Sequence, residues 1–314
     1  MTKIISIDGG GIRGIVAATI LNKLEEALQK PLYKCTDIIA GTSTGGLIAC
    51  GLTVPDDVGI NPQYNTDEII DVYRNLGDVV FTRSFWHKIK TLWGLIGPKY
   101  KIDGLDKILQ SKFADIKLEK ALTHIVLCTY DLYSRQPVVF SSEDPILNKI
   151  TMKEACMGTS SVPTYFPSVL ASTENNKFNL IDGGIFAVNP ALCAMALAKQ
   201  KHPNAKINVV SIGNGSSNNP LKYEDTKDWG LLEWASPVTD VILDSIGDAI
   251  NCQTKCLCEA TGGKYVRLQF ELPESLKAMD NADPKNLQNL QNKTNQYIDE
   301  NPDQIEAALQ ILGK

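Results

Sequence analysis

Residues 37–46 read Asp-Ile-Ile-Ala-Gly-Thr-Ser-Thr-Gly-Gly. The short apolar run Asp37–Ala40 predicts a buried strand, and apolar residues from about Gly46 onward predict a helix. Between them, Gly41-x-Ser43-x-Gly45 fits the nucleophile elbow, G-x-S-x-G. That turn must be sharp enough to push a serine oxygen out of the backbone. Flanking glycines tolerate the turn and let neighbouring elements approach. The helix that follows directs its positive end at the same place, which favours a developing oxyanion.

The same sequence of strand, glycine turn and helix occurs twice more. Residues 3–7 (KIISI) predict a buried strand, followed by Asp8-Gly9-Gly10-Gly11. A helix then runs from about Gly14 to Gln29, with Ile15, Ala18, Leu21, Leu24 and Leu28 at helical spacing. Residues 177–181 (KFNLI) predict a strand, followed by Asp182-Gly183-Gly184 and a helix from about Pro190. Further strands are expected at HIVLCTY (124–130), QPVVF (136–140), KINVVSIG (206–213) and YVRLQF (265–270). A helix is expected near 238–260, and the tail from about Pro284 reads as two polar helices. This pattern predicts an α/β fold with a mainly parallel sheet. No linker, low-complexity tract or internal repeat divides the chain, so one domain over 1–314 is expected. In open α/β sheets, ligands bind at the carboxyl ends of the strands, so the three glycine motifs are expected to meet there.

Composition narrows the function. The chain has 314 residues, 43% hydrophobic and 21% charged, with net charge −5. These are globular proportions, without the broad basic footprint of a nucleic-acid binder. The eight cysteines sit mostly within apolar runs and read as reduced packing residues. Cys252 and Cys256 share one helical face, but no CxxC pair or nearby histidine makes a metal site of them. The N-terminal apolar run is too short for a signal peptide, and no segment reaches the ~20 apolar residues of a spanning helix. A soluble, cytoplasmic protein is expected.

A serine nucleophile needs a proton acceptor. His124 and His202 directly precede strands and therefore belong to the amino ends, opposite Ser43. His87 lies in an irregular aromatic stretch that this reasoning does not place. A carboxylate is the remaining choice. Asp182 follows a strand, and Gly183 and Gly184 allow close approach, although Asp-Gly-Gly is also a common turn. Gly9-Gly10-Gly11-Ile12-Arg13-Gly14 satisfies the dinucleotide fingerprint G-x-G-x-x-G, but the acidic residue expected at the end of the second strand is missing. Three glycines before a helix instead offer bare backbone N–H groups, as an oxyanion hole requires. Arg13 either locks this loop or attracts an anionic head group.

At these residues the chain resembles the patatin-like phospholipases. IDGGGIRG (7–14), GTSTGG (41–46) and the late DGG (182–184) match that family's oxyanion loop, nucleophile elbow and catalytic aspartate, in order. GPKY (97–100), SSVPTYFP (160–167), VVSIGNG (209–215), Trp229-Gly230 and MDNA (279–282) extend the resemblance over nearly the whole chain. SSVPTYFP differs from the more usual Ser-Ala-Ala-Pro pattern. The resemblance implies a three-layer α/β/α fold and a Ser43–Asp182 dyad with an oxyanion hole at Gly9, Gly10 and Gly11. Arg13, Gly41, Gly45, Gly183 and Gly184 would support that site. It also implies release of fatty acids from membrane glycerolipids without calcium. No calcium loop is present in the sequence, and neither a metal nor a cofactor is expected. Residues 81–100, FTRSFWHKIKTLWGLIGPKY, combine basic and aromatic residues. They suggest either a transient contact with a lipid surface or a helix packed on the core. The same site could serve a thioesterase or acyltransferase. A lipid-binding or storage protein and a nucleotide binder are the non-hydrolytic alternatives.

Overall fold

A computed structural model of the protein describes residues 1–75, 80, 97–216, 220–235 and 237–313. Most of the basic aromatic segment, including Trp86, His87 and Trp93, lies outside the described residues. Among the described residues, eight strands form one sheet: β1 (Thr2–Ile7), β2 (Ile38–Thr42), β3 (His124–Asp131), β4 (Gln136–Ser141), β5 (Val169–Ser172), β6 (Lys177–Asp182), β7 (Ile207–Ile212) and β8 (Tyr265–Leu268). The middle is parallel. Ile4 of β1 pairs with Ile38 of β2 and with Val209 of β7. β2 pairs parallel with β3, and β7 with β8.

Alternate residues of a strand point to opposite faces. Here both faces are apolar, which requires a helical layer on each. Ile5, Ile7, Ile39, Leu127, Val210 and Ile212 face helices α1 (Gly14–Leu28) and α2 (Thr44–Thr53). Ile4, Ile38, Val126 and Val209 face Ala191, Ala194 and Ala198 of the helix Ala191–Lys201. The result is a three-layer α/β/α arrangement around a mixed, mostly parallel sheet. The structure differs from the expected elements at two places. β5 was not expected from the sequence. The tail helices Pro284–Glu300 and Pro302–Leu312 are amphipathic rather than simply polar, burying Leu287, Leu290, Tyr297, Ile298, Leu309 and Leu312.

The position of β6 departs from the expected rule. β4 pairs along β3 from Val126 to Asp131, occupying one edge of that strand completely. The other edge is shared by two strands. β2 pairs with it up to Thr42↔Cys128, and β6 begins at the next residue, Thr129↔Asp182. β6 is antiparallel to β3, so it runs towards β2 and the two strands meet head to head. Ser43 and Asp182 therefore come together even though β6 is not one of the parallel strands.

A buried ion pair fixes the other side of this region. Arg267 of β8 reaches across β7 to Asp8, at the end of β1. Its Nη1 donates to Asp8 Oδ1 at 2.9 Å and to Ser211 Oγ at 2.8 Å, while Nη2 donates to Asp8 Oδ2. Asn189, fully buried, accepts from Ser6 Oγ at 2.9 Å and from the Ala191 N–H at 2.9 Å, and donates to Ser211 Oγ at 3.1 Å. The Asp8 carboxylate would be left alone in this interior if its partner were removed. Arg267→Met is expected to lower stability by about 3–5 kcal/mol, measured by urea unfolding.

Candidate active site

Ser43 carries the strain of the elbow. Its backbone lies at φ 55°, ψ −126°, a region that L-residues rarely occupy. α2 begins at the next residue, Thr44, earlier than the sequence suggested. The flanking glycines are required by close approach. A Cβ on Gly41 would lie 2.2 Å from the Gly45 carbonyl oxygen, and one on Gly45 would lie 2.1 Å from the Ile7 carbonyl oxygen. The Ser43 N–H donates to Thr159 Oγ1 at 2.9 Å, and the Thr159 hydroxyl donates to the Cys128 carbonyl. Thr159 thus fastens the elbow to β3.

Asp182 is held from three directions. Its N–H donates to the Ser161 carbonyl at 3.0 Å. The Gly184 N–H donates to Oδ1 at 2.6 Å. Gly183 packs so closely on β3 that a Cβ would lie 2.2 Å from the Cys128 carbonyl oxygen. Oδ2 is buried and has no hydrogen-bond partner among the described residues. Burial raises the Asp182 pKa to about 7, against the opposing pull of the Ser43 hydroxyl and the Gly184 N–H. Ser43 is thus close enough to act on the carboxyl electrostatically, although no hydrogen bond of regular geometry joins the resting pair.

The glycine loop lies beside the elbow. A Cβ on Gly9 would be 3.3 Å from Ser43 Cβ. The Gly9 N–H, however, donates to the Val188 carbonyl at 2.9 Å. In this conformation the Gly9 N–H is therefore already paired. The N–H groups of Gly10 and Gly11 make no hydrogen bond among the described residues. Gly11 adopts φ +59°, and a Cβ there would lie 2.3 Å from the Met279 carbonyl oxygen, which accepts from the Ile12 N–H at 2.8 Å. Arg13 is half-buried, with Nε at 3.5 Å from the Gly10 carbonyl.

Three of the outlying segments of the resemblance meet beside this place. The Lys99 and Tyr100 N–H groups donate to the Thr164 and Tyr165 carbonyls, both at 2.8 Å. Tyr100 Oη donates to Asp280 Oδ2 at 2.8 Å, and Lys99 pairs with the same carboxylate. GPKY, SSVPTYFP and MDNA therefore form one brace behind the glycine loop. Thr159 and Ser161 were missed as site residues. Ser161 lies within the SSVPTYFP segment and Thr159 immediately precedes it, and that was their only signal.

The histidines stand as expected where they are described. His124 pairs with Ile38, five residues before Ser43, or about 16 Å along the strand. Its Nε2 is 2.8 Å from Ser141 Oγ and its Nδ1 is 3.3 Å from Glu143. His202 is exposed beyond the helix Ala191–Lys201. Among the described residues, no group of three or more His, Cys, Asp or Glu could hold a metal. All eight cysteines are free. Cys252 and Cys256 are exposed, so that helix face is not packed against the core. No helix among the described residues is long and apolar enough to cross a membrane.

The raised pKa of Asp182 has a consequence for stability. Between its unfolded value near 4 and its folded value of about 7, the native state binds more protons than the unfolded state. Stability therefore falls as pH rises through that window and levels off above it. Asp182→Asn keeps the acceptor for Gly184 but does not titrate. Relative to wild type, this variant should gain stability from pH 4 to pH 8 by about 2–4 kcal/mol, measured by urea unfolding across that range. A constant difference would show that Asp182 is not buried as a charge.

Comparison with known proteins identifies the family. Residues 5–195 match the family model described as "Patatin-like phospholipase". Patatin-like protein 4 of Arabidopsis thaliana is 35% identical, over 96% of this chain and 84% of its own length. Patatin-like protein 2 of Oryza sativa subsp. indica is 32% identical, over 98% of this chain and 86% of its own length. Probable inactive patatin-3-Kuras 1 of Solanum tuberosum is also 32% identical, over 77% of this chain and 70% of its own length. Family membership alone therefore does not decide activity; the site residues must. The chain belongs to the patatin-like phospholipase family.

Proposed function

We propose that this protein is a serine lipid acyl hydrolase that releases fatty acids from membrane glycerolipids through a Ser43–Asp182 dyad. The observation that carries this reading is the abutment of Ser43 and Asp182 along one edge of β3, with the carboxyl pKa raised to about 7. A carboxylate at its ordinary pKa near 4 is a weak base, and a value near neutrality improves it.

In the proposed reaction, Ser43 Oγ attacks the acyl carbonyl carbon as its proton passes to Asp182. The carbonyl electron pair moves onto oxygen, where the N–H groups of Gly10 and Gly11 and the start of α2 stabilise the charge. Collapse of the tetrahedral species expels the alcohol oxygen, which takes the proton from Asp182. Water then attacks the acyl-enzyme, and Asp182 again accepts a proton. The second collapse frees the fatty acid and returns the proton to Ser43. No step uses calcium or another metal.

The decisive experiment measures fatty-acid release from mixed lipid vesicles. Ser43→Ala should abolish release and also labelling by a fluorophosphonate. Asp182→Asn should lose nearly as much, and the double variant should be little worse, because the two groups act as one unit. His124→Ala and His202→Ala should retain most activity. For wild type, kcat/KM should rise about tenfold per pH unit below an apparent pKa near that of Asp182, about 7. Unchanged turnover in Ser43→Ala would overturn the assignment.

Metal independence has its own test. Turnover should survive dialysis against EDTA. Loss of activity that Ca²⁺ restores would contradict the two-residue mechanism.

A further inference from the structure

Beyond β7 the chain turns through Gly213-Asn214-Gly215. Backbone N–H groups hold this turn on both sides of Asn214. The Gly213 N–H donates to the Leu268 carbonyl at 2.9 Å, and the Gly215 N–H donates to Gln269 Oε1 at 2.8 Å. Asn214 itself is 2% exposed, and its side chain is directed at the glycine loop: Nδ2 donates to the Asp8 carbonyl at 2.6 Å.

That bond completes a clamp on one peptide group. The Asp8 carbonyl and the Gly9 N–H belong to the same rigid plane. Asn214 holds the oxygen, and the Val188 carbonyl accepts from the N–H at 2.9 Å. The plane therefore cannot rotate without breaking these bonds. Gly10 lies against the same side chain. A Cβ there would be 2.8 Å from Asn214 Cβ and 3.2 Å from Nδ2. Asn214 thus fixes the chain both before and after Gly9. Immediately beyond are the N–H groups of Gly10 and Gly11, which make no hydrogen bond among the described residues. Donors that stabilise a developing charge must be aimed before the charge appears.

The other half of the amide is unused. Asn214 Oδ1 is buried and has no hydrogen-bond partner among the described residues. A dry acceptor without a partner opposes folding. A side chain chosen for packing alone would not carry that oxygen. We propose that Asn214 is a positioning residue for the oxyanion site, orienting the Gly10 and Gly11 N–H groups through its bond to the Asp8 carbonyl and its contact with Gly10. The assignment rests on the serine-hydrolase reading above.

The test removes the donor at nearly constant shape with Asn214→Asp and outright with Asn214→Ala, each checked for cooperative thermal unfolding. Acylation and deacylation both pass through a tetrahedral oxyanion, so misdirected donors slow turnover whichever step limits it. On p-nitrophenyl butyrate, kcat should fall about thirtyfold in each variant while KM stays within about twofold, because the loss is felt in the transition state. A second measurement uses a hexadecyl trifluoromethyl ketone and the matching carbinol. Ser43 Oγ bonds to the ketone carbon, its proton passes to Asp182, and the carbonyl electron pair becomes an oxyanion; the carbinol has no carbonyl to attack. Affinity for the ketone should fall about tenfold and affinity for the carbinol should stay within about twofold. A residue that merely supports the fold would weaken both ligands alike or neither, and either result overturns the assignment. So does a kcat within about threefold of wild type. Should Asn214→Asp fail to fold, Asn214→Ala decides; failure of both to fold makes Asn214 a scaffold residue and overturns the assignment equally. Full turnover by Ser43→Ala defeats the hydrolase itself, whereas loss in Ser43→Ala with unchanged kcat in the Asn214 variants defeats only the positioning role.

Discussion

The structure depends on one strand edge with two tenants. β3 gives one edge wholly to β4 and divides the other between the ends of β2 and β6. Cys128 and Thr129 are neighbours in the chain, so their partners Thr42 and Asp182 are neighbours in space. Backbone hydrogen bonds, rather than flexible side chains, thereby bring the nucleophile and the carboxylate together. The end of the helix Met152–Thr159 and the residues after it reinforce the arrangement, with Thr159 bonded to the Ser43 N–H and the Ser161 carbonyl to the Asp182 N–H. A one-residue slip of either strand would displace one member of the pair by about 3.3 Å and turn its side chain to the other face.

The electrostatics follow from the same crowding. Glycines at positions 41, 45 and 183 let backbones approach where a methyl group would collide. That closeness leaves Asp182 dry, and dryness raises its pKa. The glycine loop is positioned from both ends. Asp8 is tied to Arg267, while Met279 receives the Ile12 N–H and is itself adjacent to the Asp280 brace. Gly9 also contributes to this framework through Val188, which leaves Gly10 and Gly11 as the donors with capacity to spare.

Much of this was legible in the sequence because it depends on local pattern. Apolar strands such as KIISI and KINVVSIG can only be buried on two faces, and Gly41-x-Ser43-x-Gly45 between strand and helix marks a sharp turn. The polarity of β6 was not legible. A run of five residues followed by Asp-Gly-Gly carries no record of which strand it pairs with or in which direction. Asp182 was correctly brought to Ser43, but by a rule for parallel strands that β6 does not obey. Thr159 was equally hidden, since a single threonine at a helix end becomes meaningful only when its partners, Ser43 and Cys128, are seen around it. The pairing of the Gly9 N–H depends on Val188, far away in sequence. The tail helices looked polar because their apolar residues are spaced around a mainly polar surface.

The two residues of the proposed dyad share a liability. Ser43 occupies a backbone conformation suited to glycine, and Asp182 keeps an ionisable group away from water. Each feature opposes folding at neutral pH, by about 1–3 kcal/mol for a strained backbone of this kind. In the proposed hydrolase, turnover would therefore be maintained against a steady thermodynamic gradient. A lineage released from selection for hydrolysis would drift down that gradient, exchanging Ser43 or Asp182 for residues that fit the same fold more comfortably. In such a fold, inactive descendants are the expected product of relaxed selection, and their stability would record how long ago it relaxed.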